Sequence, residues 1–92
     1  MSYKIIFQNE ALDDIQDAYD WYENQLPSLG DDFLLDLYAV IEKLKEHPLH
    51  YSLVFNEFRS VGLKRFPYRI IFKIDRINVY INMIKHKHQN RY

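Results

Sequence analysis

Arg59, Lys64, Arg65, Arg69 and Lys73 fall within a short stretch of the second half of the chain. Arginine offers a planar fork of donors that matches a phosphate or carboxylate, and lysine a compact point charge. Such a set can hold a phosphate or stabilise negative charge as it develops in a reaction. Phe66, Tyr68 and Tyr80 lie among these residues, and their rings could stack on bases. The tail His86-Lys87-His88-Gln89-Asn90-Arg91-Tyr92 adds groups suited to proton transfer and charge stabilisation. The same residues also read as a solvated sheet face and a frayed terminus.

Two histidine pairs, His47/His50 and His86/His88, have spacings at which both side chains could reach one metal ion. No carboxylate accompanies either pair closely and the chain has no cysteine, so neither a metal site nor a cofactor is expected. The acids of the first half fall between apolar positions and read as the solvated faces of amphipathic helices. Trp21 lies off the main apolar stripe and is a candidate contact for a protein partner. There is no glycine-rich phosphate loop and no GxSxG elbow.

These residues need elements to position them. Tyr3 to Phe7 is β-branched and aromatic and reads as a strand. Asn9 is a candidate N-cap for a helix whose apolar stripe is Leu12, Ile15, Ala18/Tyr19, Tyr22 and Leu26. Leu26-Pro27-Ser28-Leu29-Gly30 breaks it. Asp31 or Asp32 begins a second helix with the stripe Phe33, Leu34, Leu37, Val40/Ile41 and Leu44, ending before Pro48. Phe58 to Leu63, Tyr68 to Ile74 and Ile77 to Lys85 read as strands. A turn at Asp75-Arg76 would set Ile74 opposite Ile77, Phe72 opposite Val79 and Ile70 opposite Ile81 on an apolar face that meets the helices. Lys73/Asn78, Ile71/Tyr80 and Arg69/Asn82 would then share the other face, with His86 beside Tyr80, Asn82 and Arg69. The expected fold is α+β in the order β-α-α-β-β-β: a helical hairpin packed on one face of a twisted antiparallel sheet.

At 92 residues the chain makes one domain, residues 1–92, with a single core. Fifteen aromatic residues (eight Tyr, six Phe and one Trp) against two Gly and three Pro point to a compact, aromatic-rich interior rather than disorder. Without cysteine, a secretory leader or an apolar run near the ~20 residues of a membrane span, a cytoplasmic protein with no membrane partner is expected. The formal net charge of −1 conceals a division. Residues 1–47 carry three basic and eleven acidic groups, a balance of −8. Residues 48–92 carry nine basic and two acidic groups, a balance of +7.

One ordered set of residues carries a family resemblance. Asp13-Asp14-Ile15, Ala18 and Trp21-Tyr22-Glu23 are followed by Leu29-Gly30, Phe33 and Pro48. Arg59, the run Leu63-Lys64-Arg65-Phe66-Pro67-Tyr68-Arg69-Ile70-Ile71-Phe72 and the terminal Ile84-Lys85-His86 complete it. Together, over nearly the whole chain, these resemble the RelE/ParE toxin superfamily of bacterial type II toxin–antitoxin systems. The resemblance implies a growth-inhibiting toxin, of the kind associated with plasmid stabilization. It also implies a cognate antitoxin partner that wraps the toxin, giving a toxin–antitoxin hetero-oligomer. One branch of the superfamily cleaves messenger RNA in the ribosome. By that resemblance Lys64 or Tyr92 would transfer protons and Arg65 and Arg69 would hold the phosphate. Arg59, Lys73, Tyr80, Asn82, His86, His88 and Arg91 would serve target or phosphate binding. The ParE-like branch inhibits DNA gyrase and has no known catalytic set. Gln89 and Arg91 stand where relatives often place Arg and Pro, and with the long Trp-Tyr hairpin this departure favours the ParE-like branch. A ribosome-dependent mRNA endonuclease and a non-toxic antitoxin-binding relative are the alternatives.

Overall fold

Ile5, Ile6 and Phe7 suit a pleated, half-buried surface, and in the computed structural model, which describes residues 2–88, they belong to strand β1 (Lys4–Phe7). Helix α1 (Asn9–Gln25) follows directly, with Gln8 at its N-cap, so Asn9 is the first helical residue rather than the cap. Its buried residues are Ala11 and Ala18, while Leu12 and Leu26 are exposed. Ile15, Ala18 and Tyr22 pack against the core as expected, while Ala11 takes the place expected of Leu12 and lets the helix lie close to its neighbours.

Helix α2 (Leu29–Glu46) begins two residues earlier than the aspartates suggested. The cause lies in α1: the Glu23 carboxylate accepts the backbone N–H of Gly30 at 2.8 Å and of Ser28 at 3.3 Å. Those are free first-turn donors, and an acidic side chain there also complements the helix dipole. Gly30 makes this possible, because a Cβ would stand 2.6 Å from Glu23 Cγ and 2.8 Å from Tyr19 Cδ1. Phe33, Leu37, Val40, Ile41 and Leu44 face the sheet as expected.

After a single 3₁₀ turn at Pro48–His50 come β2 (Leu53–Phe55), β3 (Phe58–Gly62), β4 (Tyr68–Asp75) and β5 (Asn78–His86). The α+β fold and the antiparallel β3-β4-β5 meander agree with the sequence reading. The short strand β2 is additional, making five strands in the order β1-β5-β4-β3-β2, with β1 parallel to β5. Both helices cover one face, where they bury Val61, Ile70, Phe72, Val79, Ile81 and Ile84.

The β4–β5 hairpin corrects the expected register. Asp75 pairs with Asn78, so the loop is Arg76-Ile77 and not Asp75-Arg76. Arg76 supplies the left-handed backbone (φ 59°) that such a turn requires, and Ile77 is exposed in the loop. Ile74 faces Val79, Lys73 faces Tyr80 and Phe72 faces Ile81. The register then shifts: Ile71 pairs with Met83, leaving Asn82 as the extra residue of a bulge. Beyond it Ile70 meets Ile84, Arg69 meets Lys85 and Tyr68 meets His86.

Candidate functional site

The basic loop between β3 and β4 is built around a buried acid. Asp36, only 6% exposed, sits on the flank of α2. Its carboxylate accepts the backbone N–H groups of Lys64 (3.2 Å), Arg65 (2.9 Å) and Phe66 (2.9 Å). Three successive amides converge on one anion, so a loop without regular structure gains a fixed shape. Asp36 is thus an anchor, not part of a solvated acidic face. Phe66 packs inward against Tyr22 and Phe33, at ring-centroid separations of 4.8 and 5.7 Å. Lys64 and Arg65 remain exposed.

The sheet face away from the helices carries Arg69, Lys73 and Tyr80. Arg69 donates from Nε to Ser60 Oγ at 2.6 Å. Its Nη1 lies 2.9 Å from where a Cβ on Gly62 would stand. Glycine at 62 therefore lets the guanidinium lie flat along β3. The Lys73 ammonium stands 5.9 Å from the Tyr80 ring centroid and 3.9 Å from a Glu57 carboxylate oxygen.

Other expected members of this cluster stand elsewhere. Arg59 pairs with Phe72 and shares the helix side, where its Nη1 donates to the Tyr51 carbonyl at 2.6 Å. Alternation along β3 separates it from Ser60 and Gly62, and so from Arg69. His86 is also displaced. The bulge at Asn82 places it opposite Tyr68, with ring centroids 5.1 Å apart, and not beside Arg69 and Tyr80. Asn82, expected opposite Arg69, instead has a buried Oδ1 with no hydrogen-bond partner. His88 donates its backbone N–H to His86 Nδ1 at 3.2 Å. Phe66 and Tyr68 belong to the interior aromatic cluster, so of the three candidate stacking rings only Tyr80 stands on the open face. Arg91 and Tyr92 lie outside the described residues. Among the described residues no cluster of three or more His, Cys, Asp or Glu could hold a metal ion.

A concavity of about 720 Å³ opens between α1 and the ends of β4 and β5 that carry Tyr68 and His86. Trp21, Tyr22, Tyr68, His86, Asp14 and Asp17 line it. Trp21 is 57% exposed, with its ring edge-on to Tyr22 at 5.2 Å. The Tyr22 and Tyr68 rings also meet edge-on, with centroids 6.1 Å apart. Burial, then the neighbouring Tyr22, pushes the Tyr68 hydroxyl up to about 12, so it stays protonated at neutral pH. Asp14 was missed by the sequence reading. β1 pairs with β5 only as far as Ile81, and past that point Asp14 accepts the Ile84 N–H at 2.9 Å. Burial raises its pKa, opposed by this hydrogen bond and by Lys85, whose Nζ is 4.0 Å away.

Chemically, the open face can bind an anion through Arg69 and Lys73, while the concavity by Trp21 is half apolar and fits a protein side chain. The sequence model for the ParE toxin of type II toxin–antitoxin systems, parDE, matches residues 5–91. The chain belongs to the ParE toxin family. This ParE-family chain matches a structure of the chromosomal ParDE system of P. aeruginosa with a TM-score of 0.82 and 17% identity, over 92% of this chain and 96% of the other. It matches the toxin–antitoxin complex RelBE2 of Mycobacterium tuberculosis with a TM-score of 0.58 and 23% identity, over 94% and 99% of the two chains. No curated protein sequence matches significantly. Among the described residues no helix of the ParE-family chain is long and apolar enough to cross a membrane.

Proposed function

We propose that this ParE-family toxin acts in the bacterial cytoplasm, inhibits growth by binding DNA gyrase, and is held inactive by a cognate antitoxin in a hetero-oligomer. The match to the ParE toxin family over residues 5–91 carries this reading, and the separation of His86 from Arg69 supports it over phosphodiester cleavage. A nuclease needs proton-transferring groups beside the groups that hold the phosphate. Here the bulge at Asn82 turns His86 to the helix side, while Arg69 stays on the open face, bonded to Ser60. Such a face supports binding better than catalysis. We assign the exposed Trp21, beside its concavity, to contact with a protein partner. Expression in bacteria lacking the antitoxin tests the branch: a DNA-damage response with continuing translation is expected, whereas immediate translation arrest contradicts it. Normal growth with folded, soluble protein would leave an antitoxin-binding relative without toxicity.

One observation favours ribosome-dependent mRNA cleavage as the second reading. Lys64 and Arg65 are exposed on a loop whose shape Asp36 fixes, an arrangement suited to holding a phosphate. Primer extension on translated messages would then show codon-linked breaks that vanish in Arg69→Ala. An absence of breaks, or their persistence in that variant, excludes this reading.

A further inference from the structure

Asp17 and Trp21 stand one helical turn apart on α1 and line the same concavity of about 720 Å³. Both are exposed, whereas Ala18 and Ile84 of the same lining are buried and give it an apolar floor. The fixed charges of the lining do not balance, with Asp14 and Asp17 set against Lys85. The Lys85 ammonium is turned to other acids, 3.5 Å from Glu10 and 4.0 Å from Asp14. Asp14 also accepts the Ile84 N–H. Among the described residues no cation lies within 4.0 Å of the Asp17 carboxylate and no donor is hydrogen-bonded to it. One cavity thus offers an unpaired carboxylate, an exposed indole and an apolar floor.

A planar cation answers all three features at once. A guanidinium stacks on an indole face, its fork meets a carboxylate with two donors, and its aliphatic stem covers apolar surface. A lysine ammonium reaches the carboxylate but lacks the plane. We propose that this concavity takes an arginine side chain of the antitoxin, with the guanidinium held between Trp21 and Asp17. Charge favours such a segment: residues 1–47 sum to −8, so a chain lying along α1 gains from being basic. The volume exceeds one side chain, which leaves room for an apolar neighbour against Ala18 and Ile84. The inference rests on the reading of Trp21 as an antitoxin contact, and adds which residue the antitoxin brings to it.

Trp21 is the only tryptophan, so the isotope-labelled full chain gives a single indole N–H resonance by NMR. The test follows it while a capped peptide of arginine between leucines is added at constant ionic strength. A saturable shift is expected. The same peptide with citrulline, which keeps the shape and loses the charge, should bind about tenfold more weakly, the value of one hydrogen bond to a charged group. The lysine peptide should also bind more weakly than the arginine peptide. Asp17→Asn should weaken the arginine peptide about tenfold, and Asp32→Asn, on the other helix, should leave it unchanged. Equal affinity for the citrulline or lysine peptide, full affinity in Asp17→Asn, or a shift that never saturates would overturn the arginine assignment. Unlabelled cognate antitoxin separates this claim from the reading beneath it. If antitoxin moves the Trp21 resonance and the arginine peptide does not, the arginine assignment falls and the contact stands. If antitoxin leaves the resonance unmoved, both fall.

Discussion

The Asp36 carboxylate accepts the Arg65 backbone N–H at 2.9 Å across the 29 residues that separate them in the chain. This bond, with those to Lys64 and Phe66, ties the basic loop to the acidic hairpin. The polarised charge of the molecule is therefore stitched together at its seam by a buried acid.

Asp36→Ala leaves three backbone donors without that acceptor. An unsatisfied buried donor costs about 1–3 kcal/mol. Since Lys64 and Arg65 are at the surface, water takes up part of the loss, and a net destabilisation of about 2–4 kcal/mol is expected. Asp36→Asn, which keeps one acceptor oxygen, should lose less. Urea denaturation measures the cost, and faster hydrogen exchange at the amides of residues 64 to 66 would locate it.

The two glycines separate packing from positioning. A Cβ at Gly30 meets Glu23 and Tyr19 at the crossing of the two helices, so Gly30→Ala should destabilise by about 1–3 kcal/mol. At Gly62 the neighbour is the far end of the Arg69 side chain. Gly62→Ala should therefore cost under about 1 kcal/mol while displacing the guanidinium. Thermal melts measure the first effect, and the Arg69 Nε–H resonance reports the second.

Asp14 makes a signed prediction for pH. Its folded pKa is raised, chiefly by burial, so the folded state favours the protonated acid. The stabilisation this gives is fully present below the ordinary aspartate value of 3.8 and is lost as pH rises through the raised folded pKa. Relative to Asp14→Asn, the wild-type chain should gain stability as pH falls through that window. Paired denaturation curves across it provide the check, and a relative loss in wild type would reverse the assignment.

Tyr68 acts at the alkaline end. With its pKa pushed from 10.0 up to about 12, its contribution is intact below pH 10 and is lost as pH rises through about 12. Tyr68→Phe removes this component, so the variant should show a shallower loss of stability over that interval. Phenolate absorbance titration in both proteins follows the ionisation directly.

Much of this was legible in the residues. The apolar stripe of α2 and the runs forming β3, β4 and β5 are periodic enough to declare their type and buried face. β2 was hidden because its turn, Asn56-Glu57, has no glycine; Asn56 supplies the positive φ of 46° by itself. The hairpin register failed for the same reason at Arg76, an ordinary side chain in a left-handed conformation. The site suffered most from the bulge at Asn82, since one extra residue reverses the facing of everything after it. That is why Arg69 and His86, neighbours in the expected register, stand on opposite faces. The structural acids Asp14, Glu23 and Asp36 look like surface residues in sequence. Only the tertiary fold brings backbone amides to them.

A supercoiling assay with purified gyrase tests the central claim most directly. The chain is expected to inhibit supercoiling and trap cleaved DNA, and the cognate antitoxin to abolish both effects. Unaltered supercoiling with no trapped cleavage at excess toxin would contradict it.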